Sequence, residues 1–408
     1  MAGFVARQRA TPGVPADERA ALDADALGPL PGPLAPATPG PVRTVLLTGA
    51  TGFVGGQLAY ELLARTDVRV VCLTRATGDT QARHRVVRAL RERGLWRPGW
   101  GHRLVGAAGA LDRPLLGLPP ARWDELAAEV DAVLHAGALV NFLYDYRSHR
   151  GANVLGTAEL LRLAQRGRPV PLHHVSTLGV LDREAALRDA ALAEDVDPER
   201  VRPPETGYSR SKWVAERLLA RAREAGAAVT VLRLGEVMPA ATGPANPRAL
   251  THLLLSAFAH LRACPDVVLR SDYTPVDWAA RVTVAALFDR SAAGRDLHVL
   301  HPDSVCLTGV LPRAGVPLER VEPDEFRDRV AAAAASGPAE LATLDGILRR
   351  LPGDLDRLVV DNPALFRADT GVRLARRAGI RPPDLGRAIR GYAGRLLAGA
   401  EEDACASG

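Results

Sequence analysis

The stretch VRTVLLTGATGFVGG, Val42 to Gly56, decides the fold. Val45 to Thr48 form an apolar strand with no polar face, as expected inside a sheet covered on both sides. The strand runs into Gly49-x-x-Gly52-x-x-Gly55 and then into a helix. Gly49 permits the tight turn, Gly52 lets a diphosphate approach the backbone, and Gly55 lets helix and strand pack closely. The N–H groups of a first helical turn have no partners inside the helix and attract phosphate oxygens. Gly49, Thr51, Gly52, Phe53, Val54 and Gly55 therefore form the loop of a dinucleotide site.

Outward from this loop the chain alternates strand and helix. Strands are expected at Val68–Thr74, His102–Gly106, Ala132–His135, Val170–Ser176 and Val229–Leu234. Helices are expected at Gly56–Ala64, Thr80–Arg93, Trp123–Glu129, Asn153–Arg166 and Tyr208–Ala225. Short apolar runs between amphipathic helices give an α/β fold with a Rossmann-type parallel sheet. After Gly235 the rhythm changes. Helices are expected over Leu250–Leu261, Asp277–Phe288, Asp324–Ala335 and Pro338–Arg349, with short strands at Val267–Leu269 and Leu297–Leu300. Residues 1–40, rich in Ala, Pro and Gly, are assigned to a flexible N-terminal linker or a packed arm. Residues 41–237 are assigned to the dinucleotide-binding Rossmann domain. Residues 238–408 are a smaller, mainly helical C-terminal substrate domain, with 265–300 partly returning to the Rossmann core. Met238 and the loop 239–247 follow a strand end and are expected to touch substrate.

The end of the second strand chooses the cofactor. An acid there would bond the ribose hydroxyls. The chain has Thr74-Arg75-Ala76 instead, and a guanidinium pairs with a 2'-phosphate in a fork. Arg85 in the next helix is a candidate second phosphate ligand, whereas Asp79 comes past Gly78, too late. NADPH is the expected cofactor. His135 ends the fourth strand beside this region, and with Gly137 and Ala138 it is assigned to the cofactor site.

Tyr208 and Lys212 are four residues apart and share one helix face. The ammonium favours the phenolate and can hold the nicotinamide ribose. The phenol then gives a proton to a carbonyl oxygen as hydride arrives. A hydroxyl partner is expected at the end of the preceding strand, and HHVSTLGV offers Ser176 and Thr177. His173 and His174 lie in that strand and are expected to be packed or hydrogen-bonded.

Composition bounds the alternatives. The 408 residues are 47% hydrophobic, enough for one large or two medium cores. The net charge of +5 is nearly all arginine, spread along the chain, and aromatics are only 4%. No basic run is interleaved with aromatics, which argues against nucleic acid. No apolar run of membrane-spanning length occurs, and no h-region follows MAGFVARQRATPG. Cys72, Cys264, Cys306 and Cys405 are scattered without metal spacing, so no metal is expected and a reducing cytoplasm fits.

The stretches LLTGATGFVGGQLAYELL, VVCLTRA, RERGLW, RPLLGLPPARWDELAAEVDAVLHAGALVNFLYDY, GANVLGTAELLRLA, PLHHVSTLGV, GYSRSKWVAERLL, VLRLGEV and YTPVDWAA carry a family likeness. With them the chain resembles the terminal thioester reductase (R) domains of nonribosomal peptide and polyketide synthetases and of carboxylic acid reductases, which are extended short-chain dehydrogenase/reductases. The resemblance covers roughly residues 43 to 280. The ending RADTGVRLARRAGIRPPD looks like that family's C-terminal region.

The resemblance implies a substrate held as a phosphopantetheine thioester on an acyl or peptidyl carrier protein. Reduction by NADPH gives a thiohemiacetal that collapses to an aldehyde, and some members reduce the aldehyde again to an alcohol. It places the catalytic hydroxyl on Thr177, three residues before Val180, and the phenol and ammonium on Tyr208 and Lys212. It places the 2'-phosphate arginines on Arg75 and Arg85. Two departures bear on cofactor affinity. Gly109-Ala110-Leu111 stands where the family reads GDL, and His135-Ala136-Gly137-Ala138 where it often reads HNGA. The lead-in ALDADALGPLPG looks like the linker after a carrier domain, and the isolated chain is expected to be a monomer. An acyl-CoA reductase, a sugar-nucleotide epimerase or dehydratase, and a non-enzymatic NADP sensor are the alternatives. Arg75 and the GLW and LGL segments argue against the epimerase.

Overall fold

A computed structural model describes residues 14–185, 191–240, 243–271, 273–350 and 365–406. These residues form two units, each with its own core.

The first unit comprises the chain up to Leu234 with Ala280–Val299 and Phe366–Ile380. Its centre is a seven-stranded sheet: β1 Thr44–Thr48, β2 Arg69–Thr74, β3 Leu104–Ala108, β4 Ala132–His135, β5 Leu172–Thr177, β6 Val229–Leu234 and β7 Asp296–Val299. The order is β7-β6-β5-β4-β1-β2-β3, with every neighbouring pair parallel. All five residues of β1 are buried, the burial expected of a strand covered on both faces. Strand order reverses at β1 and β4, and such a reversal opens a crevice at the carboxyl ends of the strands. Leu46, Val71, Val133 and Leu172 join Leu126, Leu160 and Leu219 in one apolar layer.

The helices of this unit are α1 Ala16–Ala26, α2 Phe53–Arg65, α3 Asp79–Glu92, α4 Pro120–Glu129, α5 Tyr146–Arg150, α6 Gly156–Ala164 and α7 Gly207–Glu224. A π-turn, Gly151–Leu155, joins α5 to α6, so the single helix expected from Asn153 is interrupted at its start. Thr206 caps α7, its hydroxyl accepting from the Ser209 N–H at 3.0 Å.

Two segments return to this unit after Leu234. The return expected over 265–300 is 280–299, which supplies β7 at the sheet edge. The second return, 366–380, has no signature in the sequence. Glu194 anchors it, its carboxylate accepting from the N–H groups of Thr370, Gly371 and His298.

The second unit comprises Gly235–Ala279, Leu300–Leu365 and Arg381–Gly408. Its helix Leu250–Leu261 packs on Ala339–Arg350 and on Leu385–Ala406, and Pro323–Ala333 packs on Ala339–Arg350. Met238 pairs with Pro275 in a two-residue ladder, and residues 241–242 of the loop after it lie outside the described residues. The strand expected at Val267–Leu269 does not form. Ladders occur instead at Ala263–Pro265 and Arg270–Ser271, and Val268 between them is exposed to solvent.

The described part of the lead-in, from residue 14, is an arm carrying a helix that lies on α7. Leu22 and Ala26 are fully buried. Arg217 of α7 donates to Asp23 and Glu199, both at 2.6 Å, and Arg210 donates to Glu18 at 2.7 Å. Arg150 and the Tyr146 hydroxyl both donate to Asp25. Arg221 donates to the carbonyls of Ala26 and Gly28. Leu22→Ala is expected to lower the unfolding free energy by about 2–3 kcal/mol in a urea titration, the usual loss for a buried leucine. An unchanged midpoint would mean the arm is not docked in solution.

Candidate active site

The glycine loop is shaped by contacts that exclude side chains. Gly49 has φ of +79°, and a Cβ there would stand 2.8 Å from the backbone of Ala136 and Gly137. A Cβ on Gly55 would stand 2.1 Å from the Gly49 carbonyl oxygen. Only hydrogen fits at either position, so β1, α2 and the chain after β4 approach at backbone distance. Gly52 precedes α2 with no side-chain cap, and Gly52 itself is exposed. The open N–H donors of that first turn suit an anionic diphosphate. Arg93 of the RERGLW segment donates to the Thr51 carbonyl at 3.1 Å and to the Ala89 carbonyl. It braces the loop from the residue after α3, a role that its sequence context does not signal.

At the end of β2, Arg75 is exposed, and Arg85 donates to the Arg75 carbonyl. The two arginines expected at a 2'-phosphate are thus neighbours. Asp79 accepts from the Ala108 N–H at 2.8 Å and is used within the fold.

His135 is buried and both ring nitrogens are engaged. Nδ1 meets Thr48 Oγ1 at 2.8 Å and Nε2 meets Thr157 Oγ1 at 3.1 Å. Thr48 Oγ1 also accepts from the Gly137 N–H at 2.9 Å, and Thr157 donates to the Asn153 carbonyl. This directs the Thr48 proton to Nδ1 and makes Nε2 the donor toward Thr157. The network gives His135 a bracing part in the site: through Thr48 it holds Gly137 against the glycine loop. Gly137 is buried and Ala138 is half-buried.

Tyr208 and Lys212 lie in the first turns of α7. Gly207 makes that start possible, since a Cβ there would stand 2.5 Å from the Tyr144 carbonyl oxygen. The Tyr208 ring is half-buried between Phe142 and His149, with centroids at 6.1 Å from each. Ser176 is buried and donates to Glu216. Thr177, one residue on, is half-buried, and its hydroxyl accepts from the Gly179 N–H at 3.1 Å. Glu216 thus engages the Ser176 hydroxyl, while the Thr177 hydroxyl bonds only to backbone among the bonds described.

Lys212 is 2% exposed. Its Nζ lies 2.9 Å from His174 Nε2 and donates to the Val175 carbonyl at 2.6 Å. Of the 52 lysines and arginines in the chain, Lys212 is the one lysine. Burial pushes its pKa down to about 7, and the Glu216 charge opposes that shift. Burial and the Lys212 charge hold His174 and His135 well below the ordinary imidazole range. Glu216 is itself paired with Arg233 at 2.8 Å, with both side chains almost wholly buried.

Asn153, in the π-turn, is a further residue that sequence reasoning missed. Its amide accepts from the Leu139 N–H and donates to the Leu139 carbonyl and to Ser211 Oγ. It ties the chain after β4 to α7. The GANVLGT segment was its signal. No group of three or more metal-ligating side chains occurs among the described residues. No helix among them is long and apolar enough to cross a membrane.

A parallel sheet with this loop, and a Tyr-x-x-x-Lys helix beside its crevice, defines a nicotinamide-dependent oxidoreductase. Residues 47–283 match the NAD-binding family described as Male sterility protein. The terminal R domain of the myxalamid PKS-NRPS pathway superposes with a TM-score of 0.83 at 33% identity, covering 94% of this chain and 98% of that one. The chain belongs to that family and to the group of terminal R domains. A linear gramicidin synthase of Brevibacillus parabrevis is 35% identical over 72% of this chain. The match spans 6% of that synthase's length. A UDP-glucuronic acid 4-epimerase of Bacillus cereus, 16% identical with a TM-score of 0.59, shares the fold alone.

The depressed Lys212 pKa fixes a sign for stability. An unfolded lysine titrates near 10.5 and the folded one near 7. Between those values the unfolded chain holds a proton that the folded chain has shed, so this group's contribution to stability rises with pH. Relative to wild type, Lys212→Met is expected to gain stability as pH falls from 10 toward 7. The difference between the two should change with pH across that window in unfolding titrations. A gap independent of pH would exclude a buried, depressed lysine.

Proposed function

We propose that this chain is an NADPH-dependent thioester reductase. It releases an acyl or peptidyl chain from the phosphopantetheine arm of a carrier protein as an aldehyde, with a second reduction to the alcohol as a further step. The observation that carries this reading is the placing of the chain's one lysine. It is buried at the end of β5, four residues after Tyr208, and beside the glycine loop's own sheet.

The chain's residues have definite parts in this reading. The glycine loop and the α2 N-terminus, Gly49 to Gly55, hold the diphosphate. Arg75 and Arg85 hold the 2'-phosphate. When bound, the cofactor supplies the hydride. Tyr208 and Thr177 donate to the thioester oxygen as it gains charge, which is stabilisation where charge develops. Tyr208 delivers the proton. The Lys212 ammonium favours the phenolate, and two of its three N–H groups are committed to His174 and Val175, leaving one for a ribose hydroxyl. The 140–144 segment supports an acyl substrate. Val140 and Tyr144 are exposed apolar side chains, and Phe142 packs on Tyr208.

One acyl chain should be offered both as a carrier-protein thioester and as a CoA thioester, with NADPH oxidation and product followed together. Carrier-dependent turnover with aldehyde or alcohol release is expected, and Tyr208→Phe should lower it by about 10²-fold or more. Efficient use of the free CoA ester would favour the acyl-CoA reductase. Turnover of a nucleotide sugar with none on thioesters would sink the proposal. Arg75→Ala should raise KM for NADPH by about 10- to 100-fold and leave KM for NADH nearly unchanged, the loss of a charge-assisted phosphate contact.

A further inference from the structure

We propose that His174 is the positioning residue of the site: it accepts a hydrogen bond from Lys212 and fixes where the ammonium stands. This rests on the catalytic part given to Lys212 above. An ammonium has three donors and no acceptor. With Nζ 2.9 Å from His174 Nε2 and 2.6 Å from the Val175 carbonyl, both neighbours act as acceptors toward the charged lysine. His174 then carries its proton on Nδ1. Burial and the Lys212 charge keep the ring neutral, so Nε2 stays free to accept.

The other polar side chains around Lys212 are engaged elsewhere. His135, paired with His174 across β4 and β5, has its ring centre 5.0 Å away but commits both nitrogens to Thr48 and Thr157. Glu216, one turn after Lys212, acts on the ammonium through its charge, while its oxygens are taken by Ser176 and Arg233. Tyr208 lies one turn before on the same helix. His174 Nδ1 is buried with no hydrogen-bond partner among the described residues. An apolar side chain would fill the β5 position without that orphaned group. A polar group retained under such a penalty, in contact with the chain's one lysine, is expected where it orients a functional charge.

The single lysine makes the test direct. The full chain, with a lysine-free tag, is labelled with ε-13C lysine and gives one lysine resonance, whose pH titration reads Lys212. His174→Gln keeps an acceptor oxygen near the Nε2 position, whereas the shorter His174→Asn does not reach it. His174→Asn is expected to move the Lys212 midpoint down by about one to two pH units, the size of a lost hydrogen bond to a charged group. It should also move the alkaline limb of kcat for thioester reduction down with it, and His174→Gln should restore both. If both variants are folded and titrate as wild type does, the positioning role is overturned. Lys212→Ala keeps the two readings apart. Its inactivity beside unshifted His174 variants leaves the catalytic part of Lys212 standing and removes only this inference. Full activity of Lys212→Ala overturns the catalytic part and this inference with it.

Discussion

Helix α7 must stay flat on the sheet for Tyr208 and Lys212 to share one crevice, and the buried pair of Glu216 and Arg233 holds it there. Arg233 also donates to the carbonyls of Glu194 and Val196 and reaches Asp296. One guanidinium therefore ties α7, β6, β7 and the 194–196 turn. Such a pair adds little over a well-packed apolar contact, but losing one partner leaves a buried charge uncompensated. It acts as a register pin for the helix that carries Tyr208 and Lys212. The outer side of the same helix is held by α1, through Arg210, Arg217 and Arg221.

Clamping α7 has a consequence at its first turns. Lys212 is carried into a space with almost no solvent, beside two neutral histidines. The fold thereby works against its own stability at neutral pH, since a buried ammonium is poorly solvated. The glycine loop shows the same preference for approach over bulk. Gly49, Gly55 and Gly137 leave no room for a side chain, and His135 and Thr48 hold that geometry from beneath. Both halves of the candidate site are backbone or charge held in place by a second layer of buried polar groups.

Much of this was legible because it is local. The strand-to-glycine turn, the alternation of apolar strands with amphipathic helices, and the Tyr-x-x-x-Lys spacing depend on residues a few positions apart. The positions of β1 to β6 and of α7 follow from them within about two residues at either end. Illegible features share another property. The bond from Ser176 to Glu216 joins residues forty positions apart, which no local spacing announces. The return of 366–380 depends on Glu194, which is indistinguishable in sequence from any surface acid. The docking of α1 depends on arginines nearly two hundred residues away.

By itself the sequence determined the class of fold, the loop for the dinucleotide and the spacing that puts a phenol and an ammonium on one helix face. Period and spacing are properties of the chain before it folds. Only the tertiary structure decided that His174 meets Lys212, that His135 braces the loop through Thr48, and that Arg93 and Asn153 stand beside the candidate site. Those assignments need to know which side chains share a water-excluded space, and burial is settled by distant segments packing together.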